Sequence, residues 1–185
     1  SNHFVINLLK LNKEAPAIYN LDIKLTSQQV KKELGYTEQT RSDPKIDNLI
    51  TNLINQAYSL INPRGDYIII DKFQVNKHQI NLKNEAITFS SRDVAELLTN
   101  QDQVVLLAVT IGAQLEEQID NWFSKDELTK ATTLDAVGSV AAEEAANALT
   151  QIIKQQTNLP YSTMRFCPGY GDLSLKIQPK LLELV

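Results

Sequence analysis

The segment RFCPGYGD at residues 165–172 gathers the residue types that could bind a small charged ligand. Because Pro168 disfavours a helical conformation at the residue before it, we expect an extended chain up to Cys167. Alternation along that chain would place the side chains of Arg165 and Cys167 on one face. Gly169 after the proline predicts a turn, with a positive φ or a close approach of the backbone to another group.

The chemistry that these side chains predict is ligand binding. A planar guanidinium matches a carboxylate in a bidentate fashion, so Arg165 fits a ligand with an amino-acid end. The ring of Tyr170, or the carboxylate of Glu143, could favour a cationic sulfonium on the same ligand. The alternative is an arginine paired with a surface carboxylate beside an ordinary turn. Nothing near Cys167 in the sequence would make its thiol a thiolate, so we expect a half-buried structural cysteine.

Other catalytic patterns are missing from the sequence. It has no phosphate-binding G-x-x-x-x-G-K-[ST], dinucleotide-binding G-x-G-x-x-G, hydrolase G-x-S-x-G or zinc-binding H-E-x-x-H. Of the two histidines, His78 stands in a polar stretch between two predicted strands, and we expect it to be exposed. Gly112, between an apolar run and the segment AQLEEQ, could open an anion-binding helix N-terminus or simply a tight turn.

Composition limits the class of protein. A length of 185 residues predicts a single domain. With 18 Lys and Arg against 22 Asp and Glu and no basic cluster, nucleic acid is an unsuitable partner. The single cysteine predicts a reducing cytoplasm, and no apolar run is long enough to cross a bilayer.

Helical signals dominate the first third of the chain. TSQQVKKELGY predicts a short helix capped by Thr26 or Ser27 that ends at Gly35. A longer apolar repeat of 3.6 residues follows, with Pro44 at its first position and Ser42 or Asp43 as its cap.

The middle of the chain has the two-residue period of strands. DYIIIDKFQVN and HQINLKNEAITF predict antiparallel neighbours, and QVVLLAVTIG predicts a central strand covered on both faces. Between them, SSRDVAELLTNQ predicts a helix capped by Ser90 or Ser91. Beyond Gly112 the chain becomes helical, and a stretch rich in Ala and Gly predicts a helix pressed against the sheet. Glu143 and Glu144 there point about 100° apart, so only one can be central on a face.

Together these patterns predict an α+β fold, in which a largely antiparallel twisted sheet is packed by helices and preceded by an N-terminal helical segment. RFCPGYGD also resembles the R-x-x-x-G-Y motif of the activation domain of vitamin B12-dependent methionine synthase. Further stretches are similar to the standalone bacterial relatives of that domain: KKELGY with the helix after it, AVTIGAQLEEQI, and LDAVGSVAAEEAAN. The likeness runs over most of residues 28–185.

The resemblance implies an S-adenosylmethionine site. Arg165 would bind the ligand carboxylate, and the backbone around Cys167 and Gly169 would surround the ligand. Tyr170 would lie near the point where the methyl group meets the corrin, and Glu143 matches an acidic position on the equivalent helix. The family's N-terminal acidic ligand contact would be Asp22 or Asp43, and no pattern in the sequence chooses between these two.

The resemblance also implies partners and a reaction. The cobalamin-binding D-x-H-x-x-G pattern is missing, so cobalamin would arrive on a corrinoid protein or a methionine synthase core. With a flavodoxin-like electron donor, inactive cob(II)alamin would be reduced and methylated, and this chain would be an accessory component that positions the methyl donor. The alternatives are a noncatalytic module that binds a corrinoid protein or senses S-adenosylmethionine, and a structural domain with a decayed pocket. The family continues with further strands beyond the position of Val185, so we expect part of the sheet or pocket to be missing.

Overall fold

The structure is a computed structural model, and it describes residues 3–7, 19–41, 43–82, 86–157 and 164–185. Its strands are β1 His3–Asn7, β2 Tyr19–Asn20, β3 Arg64–Ile70, β4 Phe73–Asn76, β5 Gln79–Leu82, β6 Ile87–Ser90 and β7 Val104–Thr110. Its helices are α1 Ser27–Glu33, α2 Pro44–Leu60, α3 Arg92–Leu98, α4 Gln114–Phe123, α5 Leu128–Thr157 and α6 Gln178–Leu182, with a 3-10 turn at Leu175–Ile177 before α6. The fold is mixed α+β, which confirms the predicted class.

The chain divides into two compact units. The first contains Asn20–Arg64 and Thr110–Ala148, and the second contains Gly65–Val109 and Leu149–Val185 with the N-terminal segment that ends at Tyr19. The expectation of a single domain stays a prediction. None of the described helices contains an apolar stretch long enough to span a bilayer.

The first unit is built from helices whose ends the sequence marks clearly. Thr26 caps α1, and its side chain and that of Gln29 each accept a hydrogen bond from the other's backbone N–H. Asp43 caps α2 by accepting from the N–H of Lys45, with Pro44 in the first turn. Both predicted helices are confirmed, while Ser42, the alternative cap, lies outside the described residues.

The small residues of α5 pack within the first unit. Ala131, Ala136, Ala141 and Ala142 are buried in one apolar cluster with residues of α1, α2 and α4. A Cβ added at Gly138 would stand 2.9 Å from Leu115 Cδ2, so this position needs glycine for close packing. We expected this surface to press on a sheet. In this unit it packs on helices instead, because a stripe of small residues favours close approach of any neighbour.

The second unit contains most of the strands, in two sheets. One has the order β1-β7-β3-β2, in which β7 is internal as predicted, and the other has the order β4-β5-β6. β1 pairs antiparallel with β7, β4 with β5, and β5 with β6. Each of the two stretches predicted as one strand therefore contains two shorter strands, β3 and β4 in the first stretch and β5 and β6 in the second.

The sequence analysis assigns no element to the residues before the N-terminal helical segment. Residues 3–7 form the edge strand β1, in register with β7 from His3 opposite Val109 to Asn7 opposite Val105. Five residues are too few to reveal a two-residue period, so pairing with a strand about one hundred residues away decided this element.

The core of the second unit joins α3 and α6 to the sheets. Its fully buried members include Ile80, Leu82, Leu106 and Leu181. Phe166 and Leu173, which flank the turn of the RFCPGYGD segment, belong to the same cluster. The segment that the sequence singled out is therefore attached to a rigid core at both of its ends.

Candidate functional site

The residues 165–172, called the motif loop from here on, begin in an extended conformation. Phe166 is buried, with 6% of its surface exposed, while its two neighbours Arg165 and Cys167 are half-buried. This alternation is what the proline after Cys167 predicts, and it confirms that the arginine and cysteine side chains share a face opposite the phenylalanine.

A tight turn follows, and the loop closes on itself. The N–H of Tyr170 donates to the carbonyl of Cys167 at 3.0 Å, with Pro168 and Gly169 at the two central positions. Gly169 has a φ of +90°, which a type II turn requires at its third residue. The N–H of Gly169 also donates to the carbonyl of Leu173 at 2.8 Å, so the turn is fixed on both sides.

The last residue of the motif loop is anchored to the start of α3. The Asp172 carboxylate accepts from the Ser91 hydroxyl at 2.5 Å and from the backbone N–H of Arg92 at 2.6 Å. In return, the N–H of Asp172 donates to Asp93 Oδ2 at 3.3 Å. We call this reciprocal set of bonds between Asp172 and residues 91–93 the clasp.

The clasp also explains the second glycine of the motif loop. Gly171 has a φ of +53°, and a Cβ at this position would overlap Asp93 Oδ2 and stand 2.9 Å from Phe166 Cζ. The hydrogen bond from the Ser91 hydroxyl, followed by the one from the Arg92 N–H, lowers the pKa of Asp172 below its ordinary value. The carboxylate is therefore held ionised as a cap of α3.

The side chains of Arg165 and Tyr170 in the motif loop differ in their exposure to solvent. The Arg165 guanidinium is half-buried, and its Nη1 lies 3.5 Å from the hydroxyl of Thr150, which is on the part of α5 in the same unit. Tyr170 exposes 64% of its surface, and its ring meets Phe166 edge-on at 5.5 Å between centroids. The buried phenylalanine thus orients an exposed tyrosine.

The remaining candidate residues are placed as follows. Cys167 is half-buried and His78 is exposed, both as expected. Within the described ranges, no group of three or more metal-ligating side chains comes together. Glu143 lies in the first unit, on the exposed surface of α5, and Glu144 is half-buried and accepts from Asn147 Nδ2 at 3.1 Å.

The comparison with solved structures found a similarity, whereas the comparisons with family models and curated proteins did not. No family model matches this sequence, and no curated protein matches it. The fold is similar to that of the MetH reactivation domain. That crystal structure, solved with AdoHcy bound, aligns with a TM-score of 0.47 and 11% identity. The alignment covers 82% of this chain and 57% of the other, so this chain spans little more than half of it.

Sequence reasoning found most of the motif loop but missed its anchor. Cys167, Gly169 and Tyr170 lie on one fixed turn of the second unit, and Arg165 lies in the extended part just before it. The sequence assigns no role to Asp172. One sequence signal could have indicated Asp172: the N–H groups at the start of a helix and the carboxylate of an aspartate after a glycine both need hydrogen-bond partners. Nothing in the sequence pairs positions about eighty residues apart.

Proposed function

We propose that this chain binds S-adenosylmethionine through the motif loop and supports the reductive methylation of cobalamin on a partner protein. The partner would be a corrinoid protein or a methionine synthase core, with a flavodoxin-like electron donor, and the reaction would take place in the cytoplasm. In this proposal the chain acts as one activation-domain-like domain and as an accessory component of the methyltransferase.

The observation that carries the proposal is the fixed backbone of the motif loop. A turn, two loop hydrogen bonds and the clasp hold residues that sequence similarity relates to a ligand-binding motif. A site whose conformation is set before the ligand arrives loses less entropy on binding.

The side chains fit the proposed ligand. The half-buried guanidinium of Arg165 can donate two parallel hydrogen bonds to the ligand carboxylate, and partial burial strengthens such a pair. The backbone of Cys167 and Gly169 lies beside it, and the exposed ring of Tyr170 offers a flat surface with a negative face to a sulfonium. The resemblance alone assigns a ligand-binding role to Glu143.

The chemistry comes from the bound groups. When bound, S-adenosylmethionine would supply a methyl group from its cationic sulfur and leave as S-adenosylhomocysteine, and the partner's cobalamin, reduced by one electron from the electron donor, would take up that methyl group. Arg165 and Tyr170 would bind and orient the methyl donor, which accelerates a transfer by placing the reacting atoms in line.

Calorimetric titration with S-adenosylmethionine and S-adenosylhomocysteine tests the proposal. Arg165→Ala should weaken binding of both about tenfold or more, because hydrogen bonds to charged groups contribute about 1.5 to 3 kcal/mol. Arg64→Ala, which removes an exposed arginine from the same chain, is the matched control and should leave affinity unchanged. Glu143→Gln should weaken binding of S-adenosylmethionine by only a few-fold, and that of the uncharged thioether less. Failure of the wild-type chain to bind either ligand would contradict the proposal.

A second candidate is a noncatalytic module that docks on a corrinoid protein or senses S-adenosylmethionine. Three large apolar side chains in and beside the motif loop favour it: Met164, Tyr170 and Leu175 each expose more than 60% of their surface. Methyl transfer to cobalt in the presence of a corrinoid protein and a reductant would distinguish the two functions, since a docking or sensing module would bind without turnover.

A further inference from the structure

We propose that Asp172 is a positioning residue of the ligand site, and that the clasp sets the orientation of the motif loop for its ligand. This inference rests on the proposed function for the ligand, although the clasp itself is independent of it. Neither the composition of the chain nor the motif resemblance assigns a role to Asp172 or to α3.

The hydrogen bonds of Asp172 have an arrangement that a surface aspartate does not need. One oxygen accepts from the Ser91 hydroxyl and, at 3.4 Å, from the N–H of Asp93, while the other accepts from the N–H of Arg92. The Ser91 hydroxyl oxygen in turn accepts from the N–H of Val94 at 3.0 Å. A single carboxylate therefore joins the cap of α3 to the loop, and α3 packs into the core of the second unit.

Only a short stretch of backbone separates the clasp from the residues proposed to face the ligand. Asp172 is two residues after Tyr170, and Gly171 between them lies so close to Asp93 and Phe166 that an added Cβ would overlap Asp93 Oδ2 and stand 2.9 Å from Phe166 Cζ. The N–H of Leu173 donates to the carbonyl of Tyr170 at 3.1 Å, which closes the same turn from the other side. Movement of Asp172 away from α3 would therefore turn the Tyr170 ring and loosen the backbone around Gly169.

The experiment compares graded variants of Asp172. Asp172→Asn keeps one acceptor oxygen and loses the charge, whereas Asp172→Ala loses every acceptor. Affinity for S-adenosylhomocysteine, measured by calorimetry well below the melting temperature, should fall about tenfold for the asparagine variant and further for the alanine variant. Glu96→Gln, which removes an exposed acid of α3 that pairs with the Arg92 side chain, is the matched control and should bind normally.

Two further measurements separate positioning from stability. Ser91→Ala should weaken binding, and the double variant with Asp172→Asn should lose less than the sum of both, because the two residues act through one bond. Amide hydrogen exchange over residues 167–173 should accelerate in the Asp172 variants with no ligand present. A merely structural role would lower the melting temperature and leave affinity unchanged.

The outcomes are distinguishable from failure of the proposed function. If the wild-type chain binds neither ligand but exchange over the loop accelerates in the variants, the proposed function fails and the clasp stands. If the wild-type chain binds and Asp172→Asn binds equally well, the positioning role is overturned. Unchanged exchange in both Asp172 variants would overturn the clasp itself.

Discussion

Small residues in α5 and in the motif loop serve different physical purposes. In the first unit, Gly138 sits in the middle of a helix with ordinary backbone angles, and its missing side chain lets Leu115 pack against the helix. In the second unit, Gly169 and Gly171 have positive φ values of 90° and 53°, and they shape the backbone of a loop. At Gly138, the missing side chain permits an apolar contact. At Gly169 and Gly171, the positive φ values shape a fixed turn that leaves Arg165 half-buried and Tyr170 exposed.

The comparison shows which glycines are informative about function. A small-residue stripe on a helix next to an apolar cluster is explained by packing alone. In the motif loop the two glycines at positive φ shape a turn whose end is held by the ionised carboxylate of Asp172, and loops fixed on a folded scaffold often carry binding residues. The proposed ligand site uses glycines of this second kind.

The largest effect is expected from filling the α5 contact. Gly138→Leu should destabilise the chain by about 3 kcal/mol, because overpacking of a well-packed core costs 1 to 3 kcal/mol or more. Leu115 is buried and has little space into which to move. Urea unfolding would measure the change, with the exposed Asp135 of the same helix, as Asp135→Leu, as the control that should stay within about 0.5 kcal/mol. Equal effects at the two positions would mean that the contact at Gly138 is loose.

Interactions between residues that are close in the sequence could be predicted, whereas those between distant residues could not. Local signals limit each of three helix caps to two neighbouring residues, which include the observed caps Thr26, Asp43 and Ser91, and they predict the turn at Gly169, because each depends on neighbours within four residues. The continuous apolar run of β7 predicts an internal strand. These predictions needed no knowledge of tertiary contacts.

Long-range pairings could not be predicted in the same way. The edge strand β1 exists because it pairs with β7, and the clasp exists because Asp172 meets Ser91 some eighty residues earlier. Of the helical partners of the α5 small residues, α1 and α2 are similarly distant in sequence. Each of these pairings depends on which surfaces meet after folding. The amino-acid sequence therefore supplies the residue types but does not show which residues pair.

A smaller effect is expected from a side chain at the second glycine of the motif loop. Gly171→Ala should destabilise the chain by about 2 kcal/mol, from a positive φ and from overlap with Asp93 and Phe166. Gly35→Ala is the matched control, since Gly35 also has a positive φ but would place its Cβ in open space. Denaturant unfolding should show the larger loss at Gly171, together with weaker ligand binding. A loss no greater than that of the control would mean that the clasp yields to the added methyl group.

The smallest effect is expected when the pH is lowered, because the clasp contains an ionised carboxylate and the contact at Gly138 does not. Because hydrogen bonds lower the pKa of Asp172 in the folded chain, the unfolded chain binds a proton at this residue more readily. The stabilisation is therefore complete above the ordinary value of 3.8 and is lost as the pH falls below it through the lower folded pKa. The apolar contact at Gly138 has no such dependence.

Thermal melts of the wild-type chain and Asp172→Asn, recorded across this range, would measure the loss. The other carboxylates are the same in both proteins, so the difference in melting temperature isolates Asp172. That difference should be constant near neutral pH and shrink in acid, whereas the difference between the wild-type chain and Gly138→Leu should persist. A difference for Asp172→Asn that stayed constant throughout would show that the charge of Asp172 contributes nothing to the clasp, and that its oxygens act only as neutral acceptors.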